Sequence, residues 1–182
     1  MKLNSNLILE ILKIFFWIFT AILCIAIFVL VCIFFSTVFG INIGSLEEIK
    51  INVDFFNGKI KDIQSLGKLK SVFILAYSII LGILQLIFFL TVIKILKRLK
   101  SDNTFSMETY FLISKIAKLA LLIGSVSFLI NVINELITGN ISISADLNSK
   151  NFQFFLVAGV IYIIAQVYKR AVDLQAENDL TI

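Results

Sequence analysis

The chain has 182 residues, of which 59% are hydrophobic and only 15% are charged. A soluble domain has about 45–50% apolar and about 25% charged residues, so this composition excludes an ordinary soluble protein. The formal net charge of +4 does not indicate direct nucleic-acid binding. The basic residues flank apolar runs, and no basic and aromatic surface pattern accompanies them.

The sequence shows no constellation of residues typical of an enzyme active site. It has no histidine, the commonest general base and metal ligand. Its two cysteines, Cys24 and Cys32, would lie about 12 Å apart along one apolar helix, too far for a disulfide bond. No glycine-rich phosphate loop or metal-ligand spacing is present. We predict that the protein is not an enzyme and has no catalytic, cofactor-binding or metal site.

Apolar runs at about residues 11–39, 71–93, 112–137 and 152–168 predict four transmembrane helices. The first run is about twice as long as the apolar core of a signal peptide and ends without a cleavage pattern, so we predict an uncleaved span. The predicted fold class is all-α and integral to the membrane, with residues 1–182 forming a single four-helix transmembrane domain.

The connection after the first span has the alternating pattern of a β-hairpin. Every second residue from 49 to 55 is apolar, and a second alternation follows Asn57-Gly58. An Asn-Gly pair between alternating runs is a strong turn signal, because both residues accept positive φ. We predict a small extracytoplasmic hairpin over about residues 48–64, with residues 141–147 as a candidate third strand.

A basic stretch over residues 94–120 separates the second apolar run from the third and holds six of the sixteen Lys and Arg residues. An excess of Lys and Arg marks the cytoplasmic side of a membrane protein. Four spans place this stretch and both termini on one side, with ten Lys and Arg against six on the other. We predict a multi-pass protein of the cytoplasmic (inner) membrane, embedded in its lipid bilayer, with both termini cytoplasmic.

The same stretch contains the signals of a helix start. Ser106 can cap the third helix, and Glu108 in the first turn favours the helix dipole. Phe105 and Tyr110 are spaced for a hydrophobic staple across that cap.

A few polar residues lie inside the predicted spans: Gln85, Asn131, Asn134, Glu135 and Gln166. Gln85 can form a helix–helix hydrogen bond or line a polar cavity. Asn131 and Glu135 share a helix face, and an acid inside a span is a functional-site hypothesis. Glu135 is also close to the predicted exit of its span, where an interfacial, structural role is the alternative.

Two segments carry a resemblance to a known family. One is the basic helix followed by a polar turn and Phe105-Ser106; the other begins at Tyr168-Lys169-Arg170 and ends in Leu174-Gln175-Ala176-Glu177-Asn178-Asp179-Leu180-Thr181-Ile182. They resemble the central motif and the terminus of the bacterial four-span family catalogued as domain of unknown function 2975 (DUF2975). The resemblance covers nearly the whole chain, although the turn here lacks the glycine or proline often found before the Phe.

The resemblance implies no established activity, but members are often encoded beside a very small helix-turn-helix regulator. It therefore implies a membrane protein with a regulatory or sensor role that holds or releases a small cytoplasmic DNA-binding protein. The candidate partner-binding residues are Lys97, Arg98, Lys100, Phe105, Ser106, Glu177, Asn178, Asp179, Leu180, Thr181 and Ile182.

The alternative function is small-scale transport or protection against a membrane-active peptide, as in immunity-like proteins, and it needs a polar path through the bundle. Small residues in the spans would also permit a homo-oligomer: Gly82, Gly124, Ser125, Ser127 and Gly159.

Overall fold

The structure is a computed structural model, and it describes residues 5–40, 50–53, 56–59, 67–99, 106–138 and 150–179. Most of these residues lie in four α-helices: α1 (Ser5–Phe39), α2 (Lys68–Leu99), α3 (Met107–Thr138) and α4 (Lys150–Asp179). The shortest, α4, has 30 residues. Such a helix is about 45 Å long, more than the roughly 30 Å of a bilayer's hydrocarbon core. All four helices are long and apolar enough to cross a membrane.

The helix ends follow from local backbone chemistry. Gly40, directly after α1, has a φ of +71°, a conformation that glycine adopts without steric cost. At the start of α2, the Ser71 backbone N–H and hydroxyl both donate to the carbonyl of Gly67, the residue that precedes the helix, at 3.1 and 2.9 Å. The predicted cap of α3 is confirmed, because the Thr109 N–H donates to the Ser106 hydroxyl at 3.3 Å. Phe105, the other half of the predicted staple, lies outside the described residues.

A short antiparallel strand pair follows α1, and it differs from the predicted hairpin. β1 (Lys50–Val53) pairs with β2 (Phe56–Lys59), with Val53 opposite Phe56 and Ile51 opposite Gly58. The predicted turn at Asn57-Gly58 is wrong: both residues lie inside β2, and neither has the positive φ that such a turn requires. Val53 pairs with Phe56, so the strands meet three residues earlier along the chain than predicted. Residues 141–147, the candidate third strand, lie outside the described residues.

The helices pack extensively against their neighbours in the chain: α1 against α2, α2 against α3, and α3 against α4. One apolar cluster joins Ile33 of α1 to Leu75 of α2. A second, at the centre of the protein, joins Tyr77 and Leu81 of α2 to Ile123 and Ile130 of α3, and Phe154 of α4 packs against it. The core therefore lies on both sides of α2 and along α3.

Small side chains allow α3 and α4 to approach closely. Ala117 and Ala120 of α3 and Ala158 and Ala165 of α4 are buried, with exposed fractions between 0% and 2%. Lipid tails are as apolar as leucine, so helices in a membrane associate through close contact of such small residues rather than by burial of large apolar ones.

Candidate functional site

The basic ends of all four helices lie together, and we call this region the basic end. The Lys97 ammonium group of α2 lies 6.0 Å from the centre of the Trp17 ring of α1. The Lys169 ammonium group of α4 lies 5.9 Å from the centre of the Tyr110 ring of α3. Both are cation–π contacts, which contribute about 0.5–1 kcal/mol at exposed sites. These contacts place the start of α1 and α3 beside the end of α2 and α4.

An ion pair joins α2 to α3 at the outer rim of the basic end. Arg98 pairs with Glu108, and their side chains are 41% and 70% exposed. Exposed pairs of this kind contribute about 0.2–1 kcal/mol. Glu108 also lies in the first turn of α3, where a carboxylate interacts favourably with the helix dipole. The pair therefore links the end of α2 to the start of α3 but contributes little to the stability of the fold.

An open cleft of about 560 Å³ lies between the end of α2 and the start of α3. Four cationic side chains line it: Lys94, Lys97, Arg98 and Lys115. One carboxylate, Glu108, and two apolar side chains, Phe111 and Leu112, complete the lining. The sequence predicted Lys97 and Arg98 as partner-binding residues, within a connection that begins at Lys94, but it did not predict Phe111, Leu112 or Lys115 as site residues. A signal was present, because Lys94 and Arg98 are four apart on α2 and Phe111 and Lys115 are four apart on α3.

The C-terminal end of α4 carries the second group of predicted partner-binding residues. Glu177 and Asn178 are exposed on the last turn. Asp179 ends the helix, and its side chain lies outside the described part of the structure, as do Lys100 and Leu180, Thr181 and Ile182.

The predicted intramembrane polar residues are only partly described. Gln85 is half-buried on α2. Asn131, Asn134 and Glu135 lie in α3, and their side chains lie outside the described part of the structure. Several hydroxyl groups in the spans form hydrogen bonds within their own helices. Those of Thr20, Ser78 and Thr91 donate to the backbone carbonyls four residues earlier, at 2.7–2.8 Å. Such bonds remove the hydroxyl donors from any polar path between helices.

Most of the small residues proposed for a homo-oligomer contact are instead buried or packed between helices of the same chain. Gly124 and Ser127 are buried on α3. At Gly82 of α2, an added Cβ atom would lie 3.0 Å from the Ile27 side chain of α1, so the two helices touch there. Gly159 of α4 is exposed, with no other atom within 4 Å of an added Cβ.

Among the described residues, no group of three or more His, Cys, Asp or Glu side chains could hold a metal ion. The absence of a metal or cofactor site in the whole chain stays a prediction.

The four membrane-capable helices and their shared basic end define a multi-pass membrane protein. The chain belongs to the family described as "Protein of unknown function (DUF2975)", whose family model matches residues 60–182. The match contains α2, α3, α4 and both segments that carried the resemblance. It is narrower than the nearly full-length resemblance that we expected, because α1 and the strand pair precede it. No curated protein and no solved structure has a significant match to the chain.

Proposed function

We propose that the protein is a bacterial inner-membrane regulator, with both termini in the cytoplasm, that holds a small cytoplasmic helix-turn-helix protein at its basic end. The family has no established activity, so the proposal rests on the geometry of this end and on the partner that the family resemblance implies.

The observation that carries the proposal is the length of α4. The helix does not stop at Lys169 and Arg170, the cationic pair typical of a membrane interface, but continues to Asp179. These nine further residues, 171–179, extend about 13 Å as a helix. Glu177 and Asn178 are exposed at its end. A helical extension of this length carries Glu177 and Asn178 away from the headgroups, where a soluble protein can reach them.

The charge distribution supports the proposed orientation. The helix ends at the basic end carry Lys13, Lys94, Lys97, Arg98, Lys115, Lys118, Lys169 and Arg170, and such an excess faces the cytoplasm. Single cysteines introduced as Asn178→Cys and Asn57→Cys, in a Cys24→Ala/Cys32→Ala background, test this orientation. A membrane-impermeant maleimide added to intact cells should label only Asn57→Cys. Labelling of Asn178→Cys instead would show the opposite orientation, with the end of α4 outside the cytoplasm.

The partner role is tested by binding of a purified small helix-turn-helix protein, of the kind that the family resemblance implies, to the full-length chain in lipid nanodiscs. A chain ending at Lys169 should lose binding, and Asp179→Ala/Leu180→Ala should weaken it at least about tenfold, which is about 1.4 kcal/mol. The matched control is Val160→Ala/Ile163→Ala on the exposed side of the same helix within its span. This control should bind like the original chain.

Undiminished binding by the shortened chain would refute the tail as the contact. No binding by the full-length chain would refute the regulator as the partner.

Transport or membrane protection, the alternative, has weaker support. It requires polar groups aligned through the spans, and the hydroxyls of Thr20, Ser78 and Thr91 instead bond within their own helices. Ion flux in liposomes that disappears with Glu135→Ala would favour this alternative over the regulatory role.

A further inference from the structure

Among the described residues that line it, the cleft between α2 and α3 has an excess of positive charge. Four cations and one carboxylate line it, which leaves a formal charge of +3. Glu108 is paired with Arg98 at the rim. Within the described part of the chain, Lys94 and Lys115 form no ion pair. An anion that enters the cleft would therefore meet two ammonium groups from opposite walls.

These two lysines lie further into the helix pair than the rim. Lys94 precedes Arg98 by four residues, about 6 Å along α2, and Lys115 follows Glu108 by seven residues, about 10 Å along α3. Because α2 ends where α3 begins, both displacements lead away from the connection and toward the membrane. The cleft thus runs from a solvated ion pair down to two lysines at the depth where long cationic side chains reach the headgroups.

The remaining wall of the cleft is apolar. Phe111 is 65% exposed and lies one turn before Lys115 on α3, and Leu112 lies beside it. A fully hydrated inorganic anion would gain nothing from these side chains. An amphipathic anion would gain from both walls, because its charge meets the lysines while its hydrocarbon covers Phe111 and Leu112.

We propose that this cleft binds the headgroup of an anionic phospholipid, with the phosphodiester between Lys94 and Lys115 and the start of an acyl chain along Phe111 and Leu112. Basic pockets between transmembrane helices are suited to such headgroups. The site does not depend on the proposed regulatory role, because none of the described side chains of α4 lines the cleft. Its occupant belongs to the bilayer, so the site is filled whether or not a soluble partner is bound.

Native mass spectrometry of the full-length chain, purified in detergent and titrated with phosphatidylglycerol or phosphatidylcholine, tests the site. Phosphatidylglycerol should be retained at concentrations about tenfold lower than phosphatidylcholine. The variant Lys94→Gln/Lys115→Gln should lose this preference, and Lys94→Arg/Lys115→Arg should keep it. The matched control is Lys13→Gln/Lys118→Gln, which removes two lysines of the same end that do not line the cleft, Lys13 being half-buried and Lys118 exposed.

Each contrary result overturns the proposal in a distinct way. An equal loss in the control variant would reduce the effect to general surface charge. Displacement of the lipid by an equal concentration of inorganic phosphate, or equal binding of the deacylated headgroup, would make the cleft a site for a free anion. Lipid binding that survives in Lys94→Gln/Lys115→Gln while binding of the soluble regulator is lost would assign the cleft to the protein partner.

Discussion

Helices α1 and α3 are similar in length but differ in where their side chains lie. α1 contains the most apolar span of the four, yet only 11% of that apolar window is buried inside the protein. α3 is less apolar, and 44% of its window is buried. In a soluble protein the most apolar helix would form the core. Here lipid covers apolar surface as well as another helix does, so apolarity identifies a span without identifying the core.

The buried side chains of α3 show what the core requires instead. Ala120 and Ser127 are almost fully buried, and they are small, so a neighbouring helix can approach closely. On α1, large side chains such as Ile25 and Phe28 are 66% and 69% exposed on the protein surface. The contrast teaches that hydropathy does not distinguish the inside of this protein from its outside, and that the close fit between neighbouring helices does.

The same isoleucine-to-alanine substitution should have different effects on stability in the two helices. Ile123→Ala on α3 removes a side chain that is 2% exposed and packed in the central cluster. It should lower the free energy of unfolding by about 2–5 kcal/mol through lost contacts and the resulting cavity. Ile25→Ala on α1 should change it by less than about 0.5 kcal/mol. Steric trapping in bicelles measures both, and equal losses would show that the exposed face of α1 is covered by another molecule.

A small-to-large change sharpens the comparison from the opposite direction. Ala120→Leu inserts a large side chain at a position with 0% exposure, where no space remains. We expect a loss of about 1–3 kcal/mol in the free energy of unfolding. The matched variant Ala26→Leu on the exposed surface of α1 should be neutral in the same bicelles. Tolerance at Ala120 would mean that α3 and α4 do not depend on close contact.

The smallest expected change in stability concerns the close approach of Ile27 of α1 to Gly82 of α2. Replacing glycine with alanine inside a helix gains about 0.5–1 kcal/mol when nothing obstructs the new methyl group. Gly159→Ala should show this gain, because its surroundings are open. Gly82→Ala should not, since the methyl would lie 3.0 Å from the Ile27 side chain. The gain should return in Gly82→Ala/Ile27→Ala relative to Ile27→Ala alone, and a gain in Gly82→Ala by itself would contradict the close approach.

Much of the fold follows from local sequence signals. The four apolar runs predicted four helices, and Ser106 predicted the start of α3, because a hydroxyl before an apolar run supplies the missing acceptor of a helix start. The strand pair was predicted less well. Asn57-Gly58 has the chemistry of a turn but lies within β2, since two strands of four residues each are held by too few contacts for one turn signal to determine their register.

The candidate site, like the fold, could be predicted from the sequence only in part. Its charge could be read directly, because Lys and Arg clustered at helix ends mark the cytoplasmic side of a membrane protein. Its lining could not, because Phe111 and Leu112 have the same apolar character as the lipid-facing residues around them. Only the pairing of α2 with α3 shows that these two side chains share a cleft with Lys94 and Lys115.

The sequence by itself determined the number of helices, the end at which their cations gather and the cap of α3, because a bilayer demands long hydrogen-bonded apolar helices whatever their neighbours are. The tertiary structure decided which face of each helix is buried, which small residues meet, and how the lysines of α2 and α3 come together. Lipid and neighbouring helices are both apolar surroundings, so hydropathy cannot distinguish them and only the shapes in contact can.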